Sequence, residues 1–203
     1  MTSVFQQPIL NWSDGIPTPQ GMNWDDEFKN YIYYLIYNVI YIQGNDTKTI
    51  NIIQMMLSPE NMQIWKKSIT HKSYNKDFNY ESLKYIGDKE LDTALSRWLM
   101  KKNPNFNEHQ LTKYNHTYMN TTFQPLLTEL YKLDKWVLAS EITPKIMKEL
   151  FESYNGALEV ISRNVYNNYI SKGEYEMAIY INPGDIVTKN LNFVFQYINL
   201  QEF

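Results

Sequence analysis

From Asp25 onward the chain places Phe28, Tyr31, Ile32, Leu35, Ile36, Val39 and Ile40 at intervals of three and four, one apolar stripe down a helix. No segment elsewhere alternates apolar and polar residues at the period of two that a half-buried strand requires. The patterning predicts an all-α fold. At 203 residues the chain has the length of one domain, and 43% apolar with 15% aromatic residues supplies a core and excludes disorder for most of it.

Punctuation divides the chain further. Pro8, Gly15, Pro17, Pro19 and Gly21 break up residues 1–22, which read as an irregular arm. Gly44 and Asn45 stop the first helix, and a short segment through Ile50, Ile53, Met56 and Leu57 ends before Ser58-Pro59, a cap and first position for a third. Helices are expected over about Tyr80 to Lys102, from about Asn107 to Leu133 without a break, and from Thr143-Pro144 to about Asn168 with Gly156 tolerated inside. Pro183-Gly184-Asp185 reads as a turn. The predicted organisation is an arm at 1–22, a helical domain at 23–180 and a C-terminal extension at 181–203.

Several function classes drop out on composition. The absence of cysteine removes disulfide scaffolds, thiolate metal sites and cysteine nucleophiles. Apolar runs are too short for a membrane span and the N-terminus has no basic, apolar leader, so a soluble, intracellular protein, cytoplasmic by default and without a membrane partner, is expected. A net charge of −3 gives no global basic field, so binding to nucleic acid would need a local cationic face.

Carboxylates concentrate at helical spacing in two places. Glu81, Lys84 and Asp88 share one side of a helix while Leu83, Ile86 and Leu91 point elsewhere, and Glu149 and Glu152 are adjacent three residues apart. Taken alone, such pairs describe a solvated ionic face.

Their company adds a second reading. Thr70-His71-Lys72-Ser73-Tyr74 followed by Glu81-Ser82-Leu83-Lys84-Tyr85-Ile86-Gly87-Asp88 resembles the T-H-x-S-Y and E-R-L-E-F-L-G-D motifs of the ribonuclease III family. Asn103 to Lys113 resembles F-P-x-x-x-E-G-E-L-T-K, Met119-Asn120 falls at V-N, and Ile146 to Ala157 resembles I-L-A-D-x-x-E-A-L-I-G-A. The four motifs span about residues 65 to 165.

The resemblance implies a helical, dimer-forming endonuclease domain that hydrolyses double-stranded RNA with water activated by Mg²⁺ or Mn²⁺, held by hard oxygen ligands. It implies Asp88, Glu149 and Glu152 as metal ligands supported by Glu81 and Glu108, with Asp88 and Glu152 carrying catalysis. Tyr85 and Gly87 would lie at an interface with a second copy or another ribonuclease III-type chain. Lys72 and Lys113 would meet RNA, within a loose basic group that includes Lys66, Lys67 and Lys76. His71 reads as a hydrogen-bonded packing residue. No segment matches the double-stranded-RNA-binding domain that follows the nuclease domain in bacterial-type members.

Three departures bear on activity. Lys84 puts an ammonium where the family has a metal-binding carboxylate, and a protonated lysine has no lone pair to give a cation. Unit charges about 4 Å apart interact by roughly 4 kcal/mol at an effective dielectric near 20, enough to repel a metal and to compensate carboxylates. Lys84 is therefore expected to pair with Asp88 or Glu152 in the cation's place, leaving either a weak nuclease or an inactive dimerisation or RNA scaffold. Glu149 stands where Asp is usual, and Asn115 replaces an Arg on the RNA-facing side.

Overall fold

Asn23 starts the first helix by accepting the Asp26 N–H at 3.1 Å, and Asp25, Asp26 and Glu27 follow at the positive end of the helix dipole. The helix, α1 (Trp24–Ile40), buries every residue of the predicted stripe. The computed structural model describes residues 23–196, so the arm read at 1–22 and the last seven residues, 197–203, lie outside the described residues.

Among the described residues eight further α-helices follow: α2 (Asp46–Met56), α3 (Pro59–Ser68), α4 (Glu81–Lys102), α5 (Glu108–Tyr118), α6 (Phe123–Tyr131), α7 (Pro144–Ser171), α8 (Tyr175–Ala178) and α9 (Pro183–Val194). Among the described residues the only pairing of strand type is an isolated parallel bridge between Thr70 and Leu138. The fold is all-α, as the patterning requires. Ser58 and Thr143 cap α3 and α7, each with proline in the first turn. No helix among the described residues is long and apolar enough to cross a membrane.

Two boundaries differ from expectation. The helix predicted from Asn107 to Leu133 is broken after Tyr118, because the Asn120 side chain accepts the N–H groups of both Thr122 and Phe123 at 2.8 Å and turns the chain before α6. Pro125 then falls in the first turn of α6, where its missing N–H is harmless; inside one continuous helix it would have been disruptive. Pro183-Gly184-Asp185 is the opening turn of α9, capped by Asn182, whose side chain accepts the Gly184 N–H.

Helix α7 runs through the middle of the molecule and touches α2, α3, α4, α6, α8 and α9. It is accordingly buried at nearly every position from Glu149 to Ser162. The stretch read as a C-terminal extension supplies α9, whose Ile186, Val187, Leu191 and Val194 enter the same core. A buried relay joins these layers: Tyr31 donates to the Tyr131 carbonyl at 2.8 Å, Tyr131 to Asn190 at 2.7 Å, Asn190 to Asn155 at 2.8 Å and Asn155 to the Phe151 carbonyl at 2.8 Å. Each polar group that these residues bring into the core therefore finds a partner.

Helices α4 and α7 touch backbone to backbone at Gly87 and Gly156. A Cβ on Gly87 would fall on the Glu152 carbonyl oxygen and 2.8 Å from the Gly156 nitrogen, and one on Gly156 would fall on the Leu83 carbonyl. Gly87, expected at an interface between subunits, is buried against α7 within the chain.

Glu159, one turn beyond Gly156, is 2% exposed; Arg163 meets one carboxylate oxygen and the other has no partner. Burial raises its pKa against the pull of Arg163, and Glu90 adds to the rise. A raised carboxyl pKa means that the charged form is disfavoured in the folded state, so its cost is present at neutral pH and disappears as pH falls through the folded pKa. Glu159→Gln is expected to gain about 1–2 kcal/mol at pH 7 and to lose that advantage toward pH 4, read by urea unfolding at both pH values.

Candidate functional site

The first two turns of α4 and the first three of α7 face each other across a cavity of about 560 Å³. Residues 81, 84, 85 and 88 reach it from one helix and 145, 148, 149 and 152 from the other, as spacings of three and four dictate. Six residues singled out from the sequence, Glu81, Lys84, Tyr85, Asp88, Glu149 and Glu152, therefore line one cleft. Smaller cavities adjoin it: one of about 260 Å³ shares Lys145 and Glu149 and is lined by His71 and Lys72, and one of about 410 Å³ shares Asp88 and lies between α4 and α5.

Lys84 dominates the α4 side. Its ammonium donates to Glu81 Oε2 at 2.6 Å and to Glu149 Oε1 at 3.3 Å. The expected partners were Asp88 and Glu152. The observed ones differ because Glu81 lies one turn back on the same helix and α7 presents Glu149 opposite it, whereas Asp88 pairs with Lys89 at 3.0 Å and Glu152 with Lys148. Partial burial pulls the Lys84 pKa down, but Glu81 and Glu149 outweigh it and the ammonium is held above its ordinary value. Lys84 in turn lowers the Glu81 pKa, against burial and with help from Lys72 at 3.3 Å.

Tyr80 completes the clasp on Glu149. Fully buried, it donates its hydroxyl to Glu149 Oε2 at 2.9 Å, so both carboxylate oxygens are taken. Burial and this carboxylate together push the Tyr80 pKa far up, and the phenol stays protonated as a donor. The His71 ring packs 5.5 Å from the Tyr80 ring, and Ser73 Oγ lies 2.8 Å from its Nδ1. Ser73 also accepts the Ser140 N–H at 3.0 Å, which joins this loop to the segment before α7.

Glu152 is the most enclosed carboxylate of the cleft, with a side chain 4% exposed. Burial raises its pKa, Lys148 opposes the rise, and Asp88 and Glu149 add to it. Lys148 was not anticipated from the sequence, although its spacing of four from Glu152 was visible, and in the I-L-A-D motif its position is alanine. Nothing in the pattern marked Tyr80, since a buried hydroxyl finds its acceptor only through the long-range fold.

Other expected residues lie apart. Glu108 is exposed in the first turn of α5 and does not line the cleft. Lys113 is exposed on the same helix, and Lys72 is engaged with Glu81. Asn115 bonds back to Asp92 and to Ser96, bridging α5 to α4. Tyr85 projects from the cleft rim and is 68% exposed.

The donor set does not fit a divalent cation. Such an ion needs several free oxygen ligands, yet each of the four cleft carboxylates already meets a lysine ammonium. Among the described residues no three or more aspartates, glutamates and histidines converge closely enough to hold a metal ion.

Residues 81–162 match the family described as Ribonuclease III domain. The chain is similar to Ribonuclease 3 of a Nitratiruptor species, 29% identical over 107 residues, covering 49% of this chain and 47% of that protein. It is also similar to Ribonuclease 3 of a Sulfurovum species, 32% identical over 104 residues, covering 47% of each. The chain thus spans about half the length of the curated relatives it matches. Among solved structures, the nuclease domain of ribonuclease III from Campylobacter jejuni aligns over 77% of this chain and 100% of that one, with a TM-score of 0.51 and 21% identity, a likeness of fold.

Proposed function

We propose that this chain, whose residues 81–162 match the ribonuclease III domain family, engages double-stranded RNA as a dimer without cleaving it. The observation that carries this reading is the Lys84 ammonium bonded to both Glu81 and Glu149. Hydrolysis of the family type draws its nucleophile from a metal-bound water. Here the carboxylates that would hold the metal are neutralised by the protein's own side chains, and a cation would have to displace them.

Duplex recognition does not depend on that chemistry. A-form RNA is bound largely by shape and by contacts to phosphate and 2′-hydroxyl groups, which exposed lysines can supply. Lys72 and Lys145 at the cleft and Lys113 on α5 are the cations this reading assigns to phosphate. The test uses a labelled RNA duplex with the purified chain: binding that weakens steeply with salt, and no fragments with Mg²⁺ or Mn²⁺, is the expected result. Metal-dependent cleavage that disappears in Asp88→Asn would overturn it. That outcome would establish the second reading, hydrolysis with Mg²⁺ or Mn²⁺ as cofactor, which draws support from Asp88, Glu149 and Glu152 lining one cavity.

The dimer is assigned to Tyr85, an exposed aromatic at the cleft rim with the Lys89 ammonium 6.0 Å from its ring centroid. Its partner is a second copy or another ribonuclease III-type chain. Tyr85→Asp removes a largely exposed side chain and adds a charge, so it is expected to leave the helix content intact and shift the chain to monomer, read by light scattering after gel filtration. An unchanged molar mass would move the interface elsewhere.

A further inference from the structure

The cleft carboxylates are neutralised from two directions. Lys84 comes from α4 and meets Glu81 and Glu149; Lys148 comes from α7 and meets Glu152 one turn along its own helix. Both lysines are mostly covered, with side chains 23% and 21% exposed, and each serves a different member of the Glu149, Glu152 pair. A mobile surface lysine would not be held in this way. Glu152 is too enclosed to rely on water for compensation, so it needs a cation whatever happens at Lys84.

We infer that Lys148 is a second built-in counter-ion, independent of Lys84, and that both lysines must go before the cleft accepts a divalent cation. The inference rests on the non-hydrolytic reading and deepens it. Removing Lys84 alone leaves Lys148 bonded to Glu152 and repelling any ion that approaches Glu149. Removing Lys148 alone leaves the ammonium of Lys84 between Glu81 and Glu149. With both gone, the Glu149 and Glu152 carboxylates lose their ammonium partners and are free to turn toward Asp88, whose own partner Lys89 is largely exposed and displaceable, and together they supply oxygen donors, the ligand type that Mg²⁺ and Mn²⁺ select.

The probe is Mn²⁺ alone, titrated into the 203-residue chain without RNA and read by electron paramagnetic resonance of the free ion and by thermal melting. The wild-type chain is expected to show no saturable binding. Lys84→Glu/Lys148→Ala is expected to bind one ion at least tenfold more tightly than either single variant, and its melting temperature should rise as Mn²⁺ is added. Lys84→Gln/Lys148→Gln, whose neutral side chains keep nearly the original volume, tests the same point if the first pair fails to fold. Binding by Lys84→Glu alone as tight as by the double variant would overturn the role of Lys148. Saturable binding by the wild type, or none by either folded double variant, would overturn it as well. Failure to bind duplex RNA would defeat the proposed function and leave these titrations untouched, whereas a dispensable Lys148 would leave the RNA reading intact.

Discussion

Gly87→Ala is expected to destabilise the native state at 25 °C by more than about 4 kcal/mol. The added methyl carbon would lie 2.7 Å from the Glu152 carbonyl carbon and 2.8 Å from the Gly156 nitrogen, both of them backbone atoms of a helix buried on nearly every side. No rotamer relieves a backbone clash, so α4 and α7 must separate and the packing along both must loosen. Overpacking of an adaptable core costs about 1–3 kcal/mol, and a clash with rigid backbone belongs above about 4 kcal/mol, a large share of the 5–15 kcal/mol that stabilises a domain. Gly156→Ala should behave alike, and the double variant should cost much less than the sum, because both glycines serve one contact. Gly184→Ala is the control: its nearest neighbour would be a flexible side-chain oxygen 3.8 Å away, and its stability should change little. Urea unfolding followed by circular dichroism distinguishes the four variants.

Lys148→Ala is expected to produce the second large loss, with a distinctive dependence on pH. The substitution strands the Glu152 carboxylate, 3% exposed as a residue, without its counter-ion, and breaking a buried ion pair from one side costs about 3–5 kcal/mol. The Glu152 pKa is already raised by burial against the pull of Lys148, so removing that lysine raises it further. For a carboxyl group with a raised folded pKa, the penalty is complete above that pKa and fades as pH falls through it, because the proton then neutralises the group. The deficit of Lys148→Ala relative to wild type should therefore be greatest at pH 7–8 and shrink toward pH 5. A deficit constant across that range would show that the lysine contributes packing of its methylenes and no charge.

Much of the scaffold could be read from residue order because local rules decide it. The α1 stripe, the Ser58-Pro59 and Thr143-Pro144 starts, and the ionic face of α4 each depend on neighbours within one or two turns. The break after Tyr118 was also local, but it hung on one asparagine side chain rather than on hydrophobic period, and so it was missed. The site divides in the same way. Helical spacing brought Glu81, Lys84 and Asp88 to one side, yet which carboxylate takes the Lys84 ammonium is decided by the approach of α7, a contact between segments more than sixty residues apart. Glu108 stands apart from the cleft for the complementary reason: α5 sits on the α4 side with its own first turn in solvent.

The relay from Tyr31 through Tyr131 and Asn190 to Asn155 has a practical corollary for where this domain can be cut. The region of recognisable kinship, 81–162, contains Tyr131 and Asn155 but not the residues that bond to them, since Tyr31 and Asn190 stand outside it on either side. Excising the kindred segment would leave Asn155 facing a void, strip α7 of its coverings and expose apolar surface that ordinarily never meets water. The unit that must be expressed intact is set by carpentry rather than by ancestry, and it reaches from the first described helix to the last.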